Sequence, residues 1–203
     1  MRHAGDAPRL TGVSPAMTDP LDLGGMIGLP GFDEYDRAQA AELDPTSERY
    51  PDLRAVHAYW DAKRRNRFAP SRADIDPIDL IAVLPRIMLA DVLTAPLDFR
   101  YRLAGTGIRE VHGSEMTGKG PRDLSPPDYG ALIHAHYCDC VARRAPLLHL
   151  IVLDTRERAR SYARLLLPLS DDGTAVSMLM AVDSREQNTQ ALKSYFAQIT
   201  GRH

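Results

Sequence analysis

The densest cluster of potentially reactive side chains lies within residues 134–140, which read HAHYCDC. Two histidines and two cysteines can together form a tetrahedral zinc site. On a helix, residues two apart point about 200° apart, so the four side chains form two pairs on opposite faces. His134 and Cys138 are predicted to point outward, and His136 and Cys140 to lie on the apolar face. Neither pair completes a zinc site alone, so we expect no bound metal.

Other signals for catalysis are weak. His136 could serve as a general base, but no carboxylate shares its helical face to orient it. The serines lack the Gly-x-Ser-x-Gly pattern of a nucleophile elbow. Gly105-Thr106-Gly107 lacks the further glycine and the lysine of a phosphate-binding loop, and it is predicted to be a strand-to-helix turn. We therefore predict no catalytic centre, and a small enzyme acting on an anionic substrate stays as an alternative.

Four arginines occur in alternating positions on two predicted strands. Arg100 and Arg102 share one face of the first, and Arg160 and Arg164 share one face of the other. Guanidinium groups bind carboxylates and phosphates with two parallel hydrogen bonds. If the two strands have matched orientations in one sheet, these residues predict an anion-binding or partner-binding surface. The alternative is a solvated outer face whose arginines pair with nearby acidic residues.

The composition limits the class of partner. The chain has 203 residues, of which 44% are hydrophobic and 26% charged, and its formal net charge is −2. This balance gives no reason to expect binding to nucleic acid or to a membrane surface. No window approaches the roughly 18 apolar residues of a spanning helix, and the two cysteines cannot build a disulfide framework. We expect a cytoplasmic protein.

The chain is predicted to divide into a flexible N-terminal tail, residues 1–46, and one domain with flanking helices, residues 47–203. Glycine and proline are concentrated in residues 1–31, where too little apolar surface is available to offset the entropy of ordering. A weak helix is predicted around residues 32–43. Further helices are predicted from Pro51, over residues 77–84, over residues 127–144 and near residues 192–199.

Five strands are predicted from apolar alternation and turn signals. Their ranges are residues 87–93, 98–103, 147–153, 160–169 and 174–182. The long helix over residues 127–144 separates the first two strands from the last three. This order predicts an α+β fold in which a five-stranded antiparallel sheet carries helices on one face.

Several short motifs in this order resemble a family of small, stand-alone PAS-like proteins common in alphaproteobacteria. The motifs are Tyr59-Trp60, Pro70-Ser71-Arg72-Ala73-Asp74-Ile75-Asp76-Pro77, Leu84-Pro85-Arg86-Ile87, Phe99-Arg100-Tyr101-Arg102-Leu103-Ala104-Gly105-Thr106, Glu115-Met116-Thr117-Gly118, Leu167-Pro168-Leu169 and Asp172-Gly173. The resemblance covers roughly residues 52–183. It implies a PAS-like sensory or adaptor module in bacterial signalling that binds a small molecule, a signalling protein partner, or both.

The resemblance also suggests where a ligand would bind. PAS modules hold ligands between the sheet and the long helix, so Tyr101, His136, Cys140 and Tyr162 are the predicted ligand-binding residues. Some PAS sensors bind heme through a histidine on this helix, but for His136 we favour a core or pocket-lining role. His149, on the next strand, is predicted to face solvent.

Two alternatives follow from the same resemblance. Flavin photochemistry is not expected, because no cysteine lies between residues 105 and 124, where light-oxygen-voltage domains carry their reactive cysteine. A ligand-free homodimeric docking module stays open, with Trp60, Tyr195 and Phe196 as interface anchors. The alternative for these three residues is that they cover the core of the sheet.

Overall fold

In the computed structural model, which describes residues 38–125, 127–155 and 158–184, the elements follow the hydrophobic periods of the sequence. The helices are α1 (Pro51–Arg64), α2 (Thr106–His112) and α3 (Pro127–Arg143). The strands are β1 (Ala38–Leu43), β2 (Ile87–Thr94), β3 (Leu97–Ala104), β4 (Leu147–Thr155), β5 (Arg158–Leu169) and β6 (Met178–Asp183). Single 3₁₀ turns occur at Arg72–Asp74, Ile78–Leu80, Leu84–Arg86 and Pro121–Asp123.

These strands form one antiparallel sheet in the order β1-β4-β5-β6-β2-β3. The predicted α+β class is therefore confirmed. The strands β2 to β5 lie within two residues of their predicted bounds at each end, whereas β6 begins four residues later than predicted. The predicted helix over residues 77–84 is replaced by two separate 3₁₀ turns, and the helix predicted near residues 192–199 lies outside the described residues.

The sixth strand, β1, comes from a segment that the sequence assigned to the tail and to a weak helix. The predicted helix is wrong for residues 38–43, which form a strand instead. This strand pairs with β4, from Ala38 opposite Leu153 to Leu43 opposite Leu148. The segment reads AQAAEL, whose residues mostly favour helix, but pairing with an otherwise unprotected edge outweighs that weak preference.

The sheet is covered on both faces, whereas the sequence predicted helices on one. Helix α3, together with α2 and the Pro121–Asp123 turn, covers what we call the α3 face. Its buried cluster includes Tyr101, Tyr129, Tyr137, Tyr162 and Leu166.

Helix α1 covers the opposite side, the α1 face. Leu53, Val56 and Trp60 lie at helical spacing and pack on strand residues such as Leu165 and Leu167. The indole Nε1 of Trp60 donates a buried hydrogen bond of 2.8 Å to the Pro168 carbonyl oxygen. Trp60 is 2% exposed. Of its two predicted roles, interface anchor or cover of the sheet core, the burial of Trp60 supports the second.

The turn that joins β3 to α2 is the one predicted from Gly105-Thr106-Gly107. Gly105 precedes the first residue of α2, and a Cβ built on it would lie 2.4 Å from the Pro85 carbonyl oxygen. Glycine is required because the backbone of the Leu84–Arg86 turn packs directly against this position. The motif is thus a close-packed turn that fixes the start of α2, which helps to cover the α3 face.

Candidate ligand site on the α3 face

Helix α3 is positioned over the sheet by a stripe of large buried residues. Tyr129, Ile133, Tyr137 and Cys140 recur at helical spacing and belong to the same cluster as the strand residues beneath them. Gly130 lets the helix approach the preceding turn, since a Cβ there would lie 2.9 Å from the carbonyl oxygens of Leu124 and Pro121. This packing places α3 directly on the strand residues of the α3 face.

Three of the four predicted ligand-binding residues meet in this cluster. Tyr101 on β3, Cys140 on α3 and Tyr162 on β5 are all buried there. The hydroxyls of Tyr162 and Tyr129 are 2.6 Å apart, so they hydrogen-bond to each other. The Cys140 thiol donates to the Ala145 carbonyl oxygen at 3.4 Å, and burial raises its pKa. Cys140 is therefore a neutral, unreactive wall residue.

The fourth, His136, stacks face to face on His149 of β4. The ring centroids are 3.8 Å apart and the planes differ by 4°. His149 is 5% exposed, so its predicted solvent-facing position is wrong. Burial, with the nearby His149 and Arg164, lowers the pKa of His136 to about 3. Burial also lowers the pKa of His149, so both rings are neutral near pH 7.

A row of polar residues crosses the α3 face at one level of the sheet. Glu42 on β1, His149 on β4, Arg164 on β5 and Asp183 on β6 are consecutive cross-strand partners. Glu42 binds Arg143 of α3 through two hydrogen bonds of 2.6 and 2.9 Å. Each polar residue of the row thus contacts either α3 or its neighbour on the sheet.

Arg164 is the centre of this row and is 1% exposed. Its Nε and Nη2 atoms donate to the two carboxylate oxygens of Asp183, at 2.6 and 2.9 Å. Its Cζ atom lies 5.3 Å from the centroid of the Tyr162 ring. Burial by itself would lower the pKa of Arg164, but the Asp183 charge and the adjacent tyrosines raise it well above its usual value. The guanidinium is therefore permanently charged inside the protein.

The α3 face also contains buried polar atoms with no hydrogen-bond partner among the described residues. They are Arg164 Nη1 and the Nδ1 atoms of His136 and His149. The hydroxyls of Tyr101 and Tyr137 interact with each other, and their rings meet edge to face with centroids 6.3 Å apart. Buried polar groups in proteins are rarely left unpaired, because each costs about 1–3 kcal/mol. The three unpartnered nitrogens make the α3 face the candidate site.

The four arginines do not line one surface. Arg100 and Arg102 are exposed and alternate along β3 with the buried Phe99 and Tyr101. Arg102 pairs with Asp91 at 2.9 Å. Arg164 instead lies on the buried α3 face, and the side chain of Arg160 lies outside the described residues. The predicted surface shared by Arg100, Arg102 and Arg164 is wrong, because Arg164 lies on the α3 face and the two β3 arginines point to the opposite side of the sheet.

The second pair on α3, His134 and Cys138, is also less exposed than predicted. His134 is 7% exposed, its ring packs against Phe99 at 5.3 Å, and its Nε2 lies 3.3 Å from an Asp98 carboxylate oxygen. Cys138 Sγ is 3.6 Å from His134 Nδ1. Among the described residues, no three histidine, cysteine or acidic side chains are grouped to hold a metal ion.

No helix within the described part of the chain is long and apolar enough to cross a membrane.

Comparison with protein-family profiles covers most of the helices and strands described above. The profile described as PAS domain matches residues 49–183, which span α1 to β6 and include every described ligand-site residue except those on β1. No curated protein matches the chain significantly.

Comparison of the backbone with solved structures finds light-oxygen-voltage proteins among the matches. An RNA-binding light-oxygen-voltage receptor is 15% identical over 83% of this chain and 44% of its own, with a TM-score of 0.44. This chain thus spans less than half of that receptor. A light-oxygen-voltage domain studied with a flavin analogue is 14% identical over 64% of this chain and 99% of its own, with a TM-score of 0.42. From the match over residues 49–183, the chain belongs to the PAS domain family.

Proposed function

We propose that the chain is a non-catalytic sensory or adaptor module of the cytoplasm that binds a small molecule between α3 and the α3 face of the sheet. The observation that carries the proposal is the group of unpartnered buried nitrogens on this face, Arg164 Nη1 and Nδ1 of His136 and His149. A bound molecule would provide hydrogen bonds that the described protein groups do not provide.

The proposal includes transfer of the signal to a separate protein. The ligand would contact α3 from beneath, and α3 is tied to the sheet edge through Arg143 and Glu42. A shift of α3 on binding would therefore be transmitted to β1. Binding energy can bias such an equilibrium only through contacts that differ between the two states.

The properties of His136 do not support a catalytic role. A general base works best when its pKa lies near the working pH, and the pKa of His136 is lowered to about 3 by burial and by the adjacent His149 and Arg164. One ring face is covered by His149. Cysteinyl-flavin chemistry is not part of the proposal either, since both cysteines lie on α3 and the Cys140 thiol is hydrogen-bonded to Ala145.

Native mass spectrometry of the full chain purified from its own cells tests the proposal, paired with a visible absorption spectrum. We expect an added mass of roughly a few hundred daltons that disappears on denaturation, as for a ligand of ordinary size. A Soret band would instead identify heme and make His136 its candidate ligand. A colourless protein with no added mass would contradict the proposal and favour the ligand-free docking module.

A pair of matched variants makes this test specific to the α3 face. Ala181 on β6 is 1% exposed and faces α3, whereas Ala163 on β5 is fully buried and faces α1. Ala181→Leu adds side-chain volume to the α3 face, two residues before Asp183, and should abolish the added mass. Ala163→Leu introduces the same extra volume into the other core and should leave the added mass unchanged. Equal loss in both variants would show that the mass does not depend on the α3 face.

A further inference from the structure

Strand β4 continues the α1 face beyond its described cluster of packed side chains. Ile151 and Leu153 belong to the α3-face cluster, so Leu150 and Val152 point to the opposite side of the sheet. Leu148 of the same strand belongs to the α1-face cluster. Leu150 and Val152 therefore extend the α1 face farther along β4.

These two side chains are buried, and each is 5% exposed. Among the described residues, neither side chain belongs to the α1-face cluster or to the α3-face cluster. The cross-strand partners of Leu150 are Ala41 of β1 and Ala163 of β5, whose methyl groups are too small to cover a leucine. We call Leu150, Val152 and Ala41 the outer patch.

Helix α1 extends away from the outer patch. It begins beside the end of β6, where Arg86 donates hydrogen bonds to Asp52 of the helix and to the Asp183 carbonyl oxygen. It then follows β5 as far as Pro168, whose carbonyl oxygen accepts the Trp60 hydrogen bond. The outer patch pairs with residues 161–163, at the other end of β5. Its cover is therefore provided by a part of the chain outside the described residues.

The chain leaves β6 close to the outer patch. The Ser184 amide donates to the Ala163 carbonyl oxygen at 2.7 Å, and the Ser184 hydroxyl accepts from the Ala163 amide at 3.0 Å. Ala163 is in turn the cross-strand partner of Leu150. Residues 185–203 thus start two strand spacings, about 10 Å, from Leu150.

The sequence of this segment fits the size and the chemistry of the outer patch. Leu192, Tyr195, Phe196 and Ile199 recur at the spacing of one helical face. A helix from Leu192 to Ile199 is about 10 Å long, and the three strands from β5 to β1 span about the same distance. One apolar helical face of this length can cover the patch across its width.

We propose that residues 185–203 form a helix that docks on the outer patch through Leu192, Tyr195, Phe196 and Ile199. This contact within one chain completes the cover of the α1 face. It does not depend on ligand binding at the α3 face.

A cysteine reporter in the full chain tests this contact. Val152→Cys places a thiol of similar volume in the outer patch, and reaction with N-ethylmaleimide measures its accessibility, with labelled positions located by peptide mass spectrometry. We expect the introduced thiol to be protected. Phe196→Asp in the same background should raise its labelling rate at least about tenfold, because a carboxylate in an apolar contact opposes docking.

Ser194→Asp is the matched control, since residues two apart on a helix point about 200° apart. It adds the same charge to the other side of the predicted helix and should leave the labelling rate unchanged. Leu192→Asp, on the apolar side, should act like Phe196→Asp. The native Cys140 is fully buried on α3 and reports global unfolding, so it should stay unlabelled in every variant.

Equal labelling of the introduced thiol in the Phe196→Asp and Ser194→Asp proteins, with Cys140 unlabelled, would overturn the proposal and assign the cover to another segment. Rapid labelling in the Val152→Cys parent would overturn it as well. Protection that is lost on dilution would overturn it in favour of a second copy of the chain. Should Cys140 react in Phe196→Asp, the milder Phe196→Ala replaces it, with the same order of rates expected.

Discussion

Arg164 and Asp183 form an ion pair that is almost wholly removed from water, with side chains 1% and 14% exposed. Desolvation makes such a pair expensive to form, and its bidentate geometry offsets part of that cost. The pair fixes the orientation of the guanidinium in the aromatic cluster of the α3 face.

Removal of one partner of this ion pair should strongly destabilise the folded protein. Asp183→Ala leaves the Arg164 charge buried and uncompensated, and we expect a loss of about 3–5 kcal/mol in the free energy of unfolding, measured by urea denaturation. Glu42→Ala, which removes the exposed bidentate pair with Arg143, is the matched control and should cost several-fold less. Similar losses in the two variants would contradict the burial of Arg164.

The buried histidine pair should make stability depend on pH. The pKa of His136 is lowered from 6.5 to about 3, so the unfolded chain binds a proton below pH 6.5 that the folded protein does not. Stability is therefore greatest above pH 6.5 and falls as the pH decreases toward 3. We expect His136→Asn to reduce the slope of unfolding free energy between pH 6.5 and pH 5 by about 1 kcal/mol per pH unit.

The range from pH 6.5 to pH 5 lies above the pKa of ordinary carboxylates, so their titration contributes little to the slope. At pH 8 the two proteins should show the same flat pH dependence, which serves as the control. An unchanged slope in His136→Asn between pH 6.5 and pH 5 would show that this histidine is protonated in the folded state.

At the scale of single residues, the sequence predicted which side chains lie together better than which are buried. Tyr101, Cys140 and Tyr162, three of the predicted ligand-binding residues, share one cluster, and their contact with a ligand stays a prediction. The burial of Arg164 and His149 was missed, because alternation assigns residues to two faces without saying whether both are covered. The signal available was the run Leu165-Leu166-Leu167 beside Arg164, since consecutive apolar residues in a strand indicate burial on both faces.

At the scale of elements, the start of α2 depends on the contact between Gly105 and the Leu84–Arg86 turn. Gly105→Ala would place a Cβ 2.4 Å from the Pro85 carbonyl oxygen, and we expect a loss of about 2 kcal/mol or more in unfolding free energy. Gly113→Ala is the control at the other end of α2. There φ is +64°, and no atom of another residue in the surroundings lies within 4 Å of an added Cβ. Its cost should be about 1 kcal/mol, from backbone strain alone. A smaller loss for Gly105→Ala than for Gly113→Ala would contradict this close packing.

The elements themselves were largely predictable because their apolar periods are strong. The exception, β1, has a weak period, and its conformation is decided by an edge far away in the sequence. A partner strand more than 100 residues away leaves no signal in the local pattern. The same limit explains why the sequence could not place Arg100 and Arg164 on opposite faces.

At the scale of the whole molecule, the described domain has two cores with different characters. The α1 face is closed by Leu53, Val56 and Trp60, and its packing resembles an ordinary apolar core. The α3 face combines aromatic residues, a buried ion pair and unpartnered polar atoms. We expect the ligand to be bound on the α3 face, while the α1 face gives the sheet its stability.

Trp60 provides a direct test of that division. Trp60→Phe removes the 2.8 Å hydrogen bond to the Pro168 carbonyl oxygen and leaves that oxygen unpaired, which should cost about 1–3 kcal/mol in unfolding free energy. The mass bound to the folded protein should be unchanged. Loss of the bound mass from a folded Trp60→Phe variant would contradict the separation of the two faces.

A high-resolution crystal structure of the protein purified from its own cells, without added ligand, tests the central claim most directly. We predict well-defined density for a small molecule on the α3 face, within hydrogen-bond distance of Arg164 Nη1. A core closed by side chains, with Arg164 Nη1 bonded only to protein or to ordered water, would contradict the claim that this PAS domain is a ligand-binding sensor.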